Sequence, residues 1–326
     1  MTSASAGPAV RSVTARPDLR DQVARLGVWV ALVVTLIVGV VAVPNFATAA
    51  NADAVLRQAA VLGVVALGQT FVVLTGGIDL SVGMLMGLVT VLANGIMDGD
   101  PGLIGPVLLV ALACGLVTGL ANGLGIVVAR VDPLIVTLAM LSVLQGAIFL
   151  YTDRTVGSAP DAFRELAYGD LGPIPIPALV LALLAIGCWV ILDRTPFGRY
   201  VYALGSDAQS ARRSGIPVDR VRLGAYVVCS LLAAIAGLLL AARLGSGFTG
   251  AGAGFELSSI VAVVVGGTAL SGGRGGVWGT IAAVLLLTML ATMLNLLGIS
   301  PFAQRVINGV VIVVAVAVYT SARREP

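Results

Sequence analysis

GSDAQSARRSGIPVDR, Gly205–Arg220, is a polar stretch with three arginines set between two apolar runs, 175–193 and 221–243. Each run has roughly the 20 residues that a helix needs to cross a hydrocarbon core of about 30 Å. The polar stretch then reads as a loop at one membrane face, and the same logic extends outward along the chain. Of 326 residues, 58% are hydrophobic and 11% charged, with mean hydropathy +1.04. That is too little polar surface to keep a domain in water. The expected fold is an all-α polytopic membrane protein.

Apolar runs predict about ten helices, at roughly 26–43, 55–75, 80–97, 103–129, 133–151, 175–193, 221–243, 256–271, 276–297 and 302–320. Pro44, Pro101, Pro133, Pro175 and Pro301 stand near their ends, where proline is tolerated. Residues 1–25, rich in Ser, Ala and Arg, are expected to be disordered. The run Leu26–Val43 ends near ATAA, which resembles a signal-peptidase site, but it exceeds the usual signal core and reads as a retained first helix. The transmembrane domain is expected over 26–320, with a tail at 321–326.

All 19 basic residues are arginines. With a cytoplasmic N-terminus, only Arg57, Arg154, Arg164, Arg243 and Arg305 fall outside, a strong positive-inside bias. The expectation is therefore that both termini and Gly205–Arg220 face the cytoplasm. The arginines form no dense basic surface, so nucleic acid is not an expected partner. There is no histidine, which excludes a histidine-based triad, and Cys114, Cys188 and Cys229 are widely spaced in apolar runs, as small core residues. No cofactor is expected. Glycine reaches 41 residues, nearly twice the usual share of about 7%. Gly83 with Gly87, and Gly115 with Gly119 and Gly123, fall on single helix faces and predict close packing.

Within the loop, Ser206-Asp207-Ala208-Gln209 fits a capping box, with Ser206 as cap and Gln209 reaching back. The helix is expected over Asp207–Ser214, with Arg212 and Arg213 in its last turn. Gly215 is placed to end it and Pro217 to prevent continuation. Such a short capped helix suits docking into a partner's groove. A plain loop whose arginines set topology is the alternative.

ALGSDAQSARRSGI, Ala203–Ile216, resembles the cytoplasmic coupling loop of ribose-type permeases, the membrane subunits of ATP-binding-cassette importers in the branched-chain amino acid/ribose-type family. LTGGIDLSVGMLMGL (Leu74–Leu88), GLANGLGIVVARVDPLIVTLAML (Gly119–Leu141) and GAGFELSSIVAVVVGGTALSGGRGGVWGT (Gly252–Thr280) resemble further family motifs, in the expected order. Gln209-Ser210 departs from the Glu-Ala of many members. The resemblance implies a permease in the bacterial plasma membrane, paired with a second permease subunit. Two ATPase subunits would dock below, and an extracytoplasmic binding protein would deliver a monosaccharide. It implies ATPase coupling at Ala203, Gly205, Ser206, Asp207, Gln209, Ala211, Arg212, Arg213, Ser214, Gly215 and Ile216. The chain has no lysine and hence no Walker A motif, so ATP is expected to bind elsewhere.

Candidate pathway or gate residues are Gly76, Gly77, Asp79, Ser81, Asn122, Thr137, Gly266 and Gly267. Asp79 follows a Gly-Gly break, and an acid at membrane depth is costly. It either shapes a gate or caps the third helix with Ser81. VVLTGGIDLS and VVVGGTALSG suggest an internal repeat. Glu256 is expected to cap the eighth helix on the outer side, or to meet the binding protein. Alternatives for the whole chain are a permease for an amino acid, nucleoside or signalling furanose, and a secondary transporter.

Overall fold

The protein is described by a computed structural model covering residues 19–300 together with 303, 304, 306 and 309. Twelve α-helices occur among the described residues: α1 (Leu19–Ala42), α2 (Ala49–Leu74), α3 (Val82–Met97), α4 (Ile104–Val127), α5 (Pro133–Tyr151), α6 (Asp161–Tyr168), α7 (Ile176–Arg194), α8 (Pro196–Ser206), α9 (Ala208–Arg213), α10 (Val218–Leu244), α11 (Phe255–Val265) and α12 (Val277–Leu296). Among the described residues, six segments are long and apolar enough to cross a membrane: α2, α4 with its preceding 3-10 turn, α5, α7, α10 and α12. Residues 27–42 of α1, α3 and α11 are shorter apolar helices. The expected tenth helix and the terminal segments lie outside the described residues, apart from the start of α1 and isolated positions near the C-terminus.

Local chemistry sets several helix starts. Thr48 Oγ1 accepts the Asn51 N–H at the start of α2. Asp132 Oδ1 accepts the Leu134 N–H ahead of α5, with Pro133 at the first helical position. Thr195 and Pro196 repeat this arrangement for α8.

Buried α10 packs against α2, α3 and α4. The glycine stripe on α4 explains the closest of these crossings. A Cβ on Gly115 would lie 2.9 Å from Ser230 O, and one on Gly119 would lie 2.7 Å from Val227 Cα. One on Gly123 would lie 3.1 Å from Leu223 Cα. The stripe is thus pressed along α10 backbone to backbone, as its four-residue rhythm predicts.

Two apolar helices are too short for a full crossing. α3 has 16 residues, about 24 Å, because residues 75–81 run beside α2 in non-helical conformation first. α11 has 11 residues, about 17 Å, and ends at Val265, short of the expected 271. The chain before it descends in irregular conformation along α3: Gly247 abuts Val91, while Gly252 abuts Gly83 and Gly87. That is a descent of about 12 Å along the helix. Glu256 consequently lies against Gly83 near the start of α3, not at the far end of the bundle where the sequence reading put it. It does serve its own helix start, accepting the Gly254 N–H on both oxygens at 3.1 Å.

The end of the bundle opposite α9 carries a small cap. α6 buries Phe163 and Ala167, and a two-stranded antiparallel hairpin follows, β1 (Asp170–Leu171) and β2 (Ile174–Pro175). Arg57 of α2 holds this cap down. It bonds Asp53 Oδ2 at 2.7 Å and Asp170 Oδ1 at 2.5 Å, and donates to the carbonyls of Ala167 (2.9 Å) and Gly169 (3.3 Å). Val156 pairs with Gly247 through reciprocal backbone bonds of 2.8 and 2.9 Å, stitching the preceding loop to the end of α10.

Candidate functional site

The chain leaves α2 through a glycine turn. Thr75 caps α2, Gly76 adopts φ +78°, and Gly77 N–H returns to Val72 O at 3.1 Å. Residues 78–81 then climb back beside α2. The Gln69 amide serves both backbone groups of Asp79, donating to its carbonyl (3.2 Å) and accepting its N–H (3.1 Å). Asp79 is therefore about 7 Å inside the end of α2, fully buried.

Its carboxylate meets only donors. Oδ1 accepts the Ser81 N–H at 2.9 Å and the Ser81 hydroxyl at 2.6 Å; Oδ2 accepts Asn122 Nδ2 at 3.4 Å. Asn122 of α4 also donates to Ser81 Oγ at 2.9 Å. The Ile78 carbonyl accepts from Thr137 of α5 and Tyr226 of α10, each at 3.4 Å. Four of the expected residues, Asp79, Ser81, Asn122 and Thr137, are brought into one cluster. Gln69 and Tyr226 complete it, and sequence reading did not name them as partners of the break. Asp79 accepts the N–H of Ser81, the residue before α3, and ties a helix break to neighbouring spans, while α3 itself starts without a side-chain cap.

Gly266 and Gly267 form the corresponding turn at the end of α11. Gly267 adopts φ +87°, and a Cβ on Gly266 would lie 2.6 Å from Thr280 N of α12. This turn borders a cavity of about 450 Å3 whose walls include Trp29, Trp189, Tyr202, Arg274 and Trp278. The end of α2 meets the loop that follows α11. Gly273 N–H donates to Leu74 O at 2.9 Å.

The expected coupling segment comprises two helices. α8 is amphipathic, burying Gly198, Val201 and Leu204. The cap of α9 is Asp207, not Ser206, and this corrects the capping box. Ser206 closes α8, its hydroxyl donating to Tyr202 O at 2.9 Å. Asp207 Oδ1 accepts the N–H groups of Gln209 (2.8 Å) and Ser210 (3.2 Å), and its Oδ2 takes the Ser210 hydroxyl at 2.6 Å. An aspartate at this position satisfies two free donors at once, leaving Gln209 exposed and without its expected return role. The Ser210 hydroxyl, then the N–H groups of Ser210 and Gln209, hold the exposed Asp207 carboxyl below the usual carboxylate range.

The other end matches expectation. Gly215 (φ +80°) donates to Arg212 O and Ile216 N–H to Ala211 O, both at 3.1 Å, with Ser214 as C-cap. Arg212 pairs with Asp219 at 2.9 Å, while Arg213 is exposed. Ala211 is buried and Ala203 half-buried, so α9 is seated on one side and open on the other.

A family model described as branched-chain amino acid transport system / permease component matches residues 51–316. The chain belongs to this permease family. Among its relatives is the ribose import permease protein RbsC of Bacillus subtilis (strain 168), 42% identical over 297 residues, covering 90% of this chain and 91% of the relative. RbsC of Escherichia coli (strain K12) is 37% identical over 294 residues, with 89% and 91% covered. The L-arabinose transport system permease protein AraH of Escherichia coli (strain K12) is 35% identical over 298 residues, with 89% and 88% covered. No solved structure matches. The permease is thus an all-α, multi-pass membrane protein with a role in transport. The glycine turns, the Asp79 cluster and the α8–α9 segment all lie inside the matched region.

Proposed function

We propose that this permease is the membrane-spanning subunit of an ATP-driven importer for a monosaccharide, a pentose such as ribose or arabinose or a related hexose. The relatives' names support the substrate class. The observation that carries the mechanism is α9: a short helix closed at both ends, standing on an exposed face and joined through α8 to the glycine turns. In this reading α9 sits on the cytoplasmic face, as the arginine distribution indicates. It fits a groove on a separate ATPase subunit, with Asp207, Gln209, Arg213 and Gly215 at the contact. The ATPases close on ATP and move α9; Gly76, Gly77, Asp79, Ser81, Asn122, Thr137, Gly266 and Gly267 respond on the pathway. A binding protein delivers sugar from the opposite face, and a second permease subunit completes the passage.

Asp79 does not serve as an ion-coupling acid in this scheme, since Ser81, Asn122 and the start of α3 already satisfy it. Purification of the tagged permease in mild detergent is expected to recover an ATPase and a binding protein, the latter loaded with sugar. Proteoliposomes holding permease and ATPase are expected to take up that sugar only with the loaded binding protein outside and ATP inside, at the ATPase face. Uptake driven by an ion gradient without any ATPase would overturn the reading.

A further inference from the structure

α2 and α11 end in the same backbone device. At the end of α2, Gly76 (φ +78°) donates to Val73 O at 2.9 Å and Gly77 to Val72 O at 3.1 Å. At the end of α11, Gly267 (φ +87°) donates to Val264 O at 2.9 Å and Thr268 to Val263 O at 3.1 Å. The correspondence follows the alignment of VVLTGGIDLS (72–81) with VVVGGTALSG (263–272) residue for residue.

The end of α2 touches the loop that follows α11, at Gly272 and Gly273, and α8 covers the place where they meet. The Gly273 N–H···O Leu74 bond joins them. A Cβ on Gly272 would lie 2.8 Å from Gly76 N, 2.9 Å from Leu74 O and 2.9 Å from Gly205 Cα. Gly205, in the last turn of α8, is packed so closely that a Cβ would collide with Leu74 O and Gly273 N, the two ends of that bond. Its neighbour Ser206 abuts Gly273, and one turn earlier Tyr202 OH donates to Gly275 O at 3.1 Å. Only Asp207 separates α8 from α9.

We propose that Gly205 is a positioning residue that makes the α2 turn and the loop of residues 268–276 after α11 a single moving part. Backbone resting on backbone has no side-chain rotamers to absorb a displacement, and close-packed interiors pass strain on. A shift of α9 therefore moves residues 75–81 and 268–276 together. The first turn carries Asp79 and Ile78 with it, and through Asn122, Thr137 and Tyr226 reaches α4, α5 and α10. The inference rests on the reading of α9 as the ATPase-docking element.

The test uses the full chain with its ATPase in lipid nanodiscs. Hydrogen exchange is followed in peptides spanning 75–81 and 268–276, with and without a non-hydrolysable ATP analogue. Both peptides are expected to change protection at the same nucleotide concentration. In proteoliposomes, Gly205→Ala is expected to lower sugar transported per ATP hydrolysed by about tenfold or more. Gly187→Ala, where a Cβ meets nothing within 4 Å, is expected to leave that ratio unchanged. A misfolded fraction would lower uptake and hydrolysis alike and leave the ratio intact. Response of one turn alone in the unmodified complex overturns the proposal, as does a normal ratio in Gly205→Ala. Should that variant fail to assemble, the exchange result on the unmodified complex decides. Failure of any ATPase to bind would overturn this inference and the proposed function together; ATP-driven uptake with independently responding turns overturns this one alone.

Discussion

Asp79 illustrates how a buried acid is kept in a membrane bundle. Every oxygen contact described is a donated hydrogen bond, and the start of α3 adds its dipole. Asp79→Ala leaves Ser81 N–H and Asn122 Nδ2 short of an acceptor, and is expected to cost about 2 kcal/mol or more. The check is thermal unfolding in detergent, where Asp79→Asn should lose less. At the other polar site, Asp207→Ala removes the N-cap of α9 and should depress uptake, while Asp207→Asn should retain most of it. The depressed Asp207 carboxyl implies a direction with pH. A lowered folded-state value means the cap contributes above the ordinary carboxylate range and is lost as pH falls through that lowered value. An NMR titration should place the Asp207 midpoint below that of a free aspartate, and Ser210→Ala should raise it.

At the scale of the helix, most of the architecture was legible. Pro133 marked the start of α5, and the four-residue glycine rhythm marked the α4 face that meets α10. Gly119→Leu should therefore drive α4 off Val227 and yield little monodisperse protein by size-exclusion chromatography, a larger effect than the 1–3 kcal/mol of ordinary overpacking. What hydropathy did not reveal has a common cause. It reports apolar length, not the path of the backbone, so the helix expected over 256–271 was carried past the turn at Gly266, and nothing in 244–255 or 76–79 showed where those segments run. The cap at Asp207 was misassigned because Ser206 and Asp207 both fit the pattern, and only the end of α8 decides between them. α8 itself had a readable signal, Thr195-Pro196 followed by Gly198, Val201 and Leu204 on one face, hidden by the polar character of the whole loop. The meeting of Gly76, Gly205, Gly272 and Gly273 could not be read at all, because their contact spans some 200 residues of chain.

For the molecule as a whole, the two ends of the bundle carry opposite equipment: α8, α9 and both glycine turns at one, α6 and the hairpin at the other. A sidedness experiment follows. In sealed cells, a cysteine introduced by Gln209→Cys should be shielded from a membrane-impermeant maleimide, while Arg154→Cys, on an exposed loop residue, should react. Reaction of both would invert or dissolve the proposed division of labour.

The three bonds that Arg57 makes across to Asp170 and the carbonyls of Ala167 and Gly169 give the α6 end a thermodynamic character of its own. A visitor meeting this surface finds residues 161–175 already set in place, so little chain entropy is forfeited on arrival. Calorimetry of that encounter should accordingly show a small ordering penalty, and Arg57→Ala should enlarge it, converting a ready-made platform into one that each arrival must first assemble.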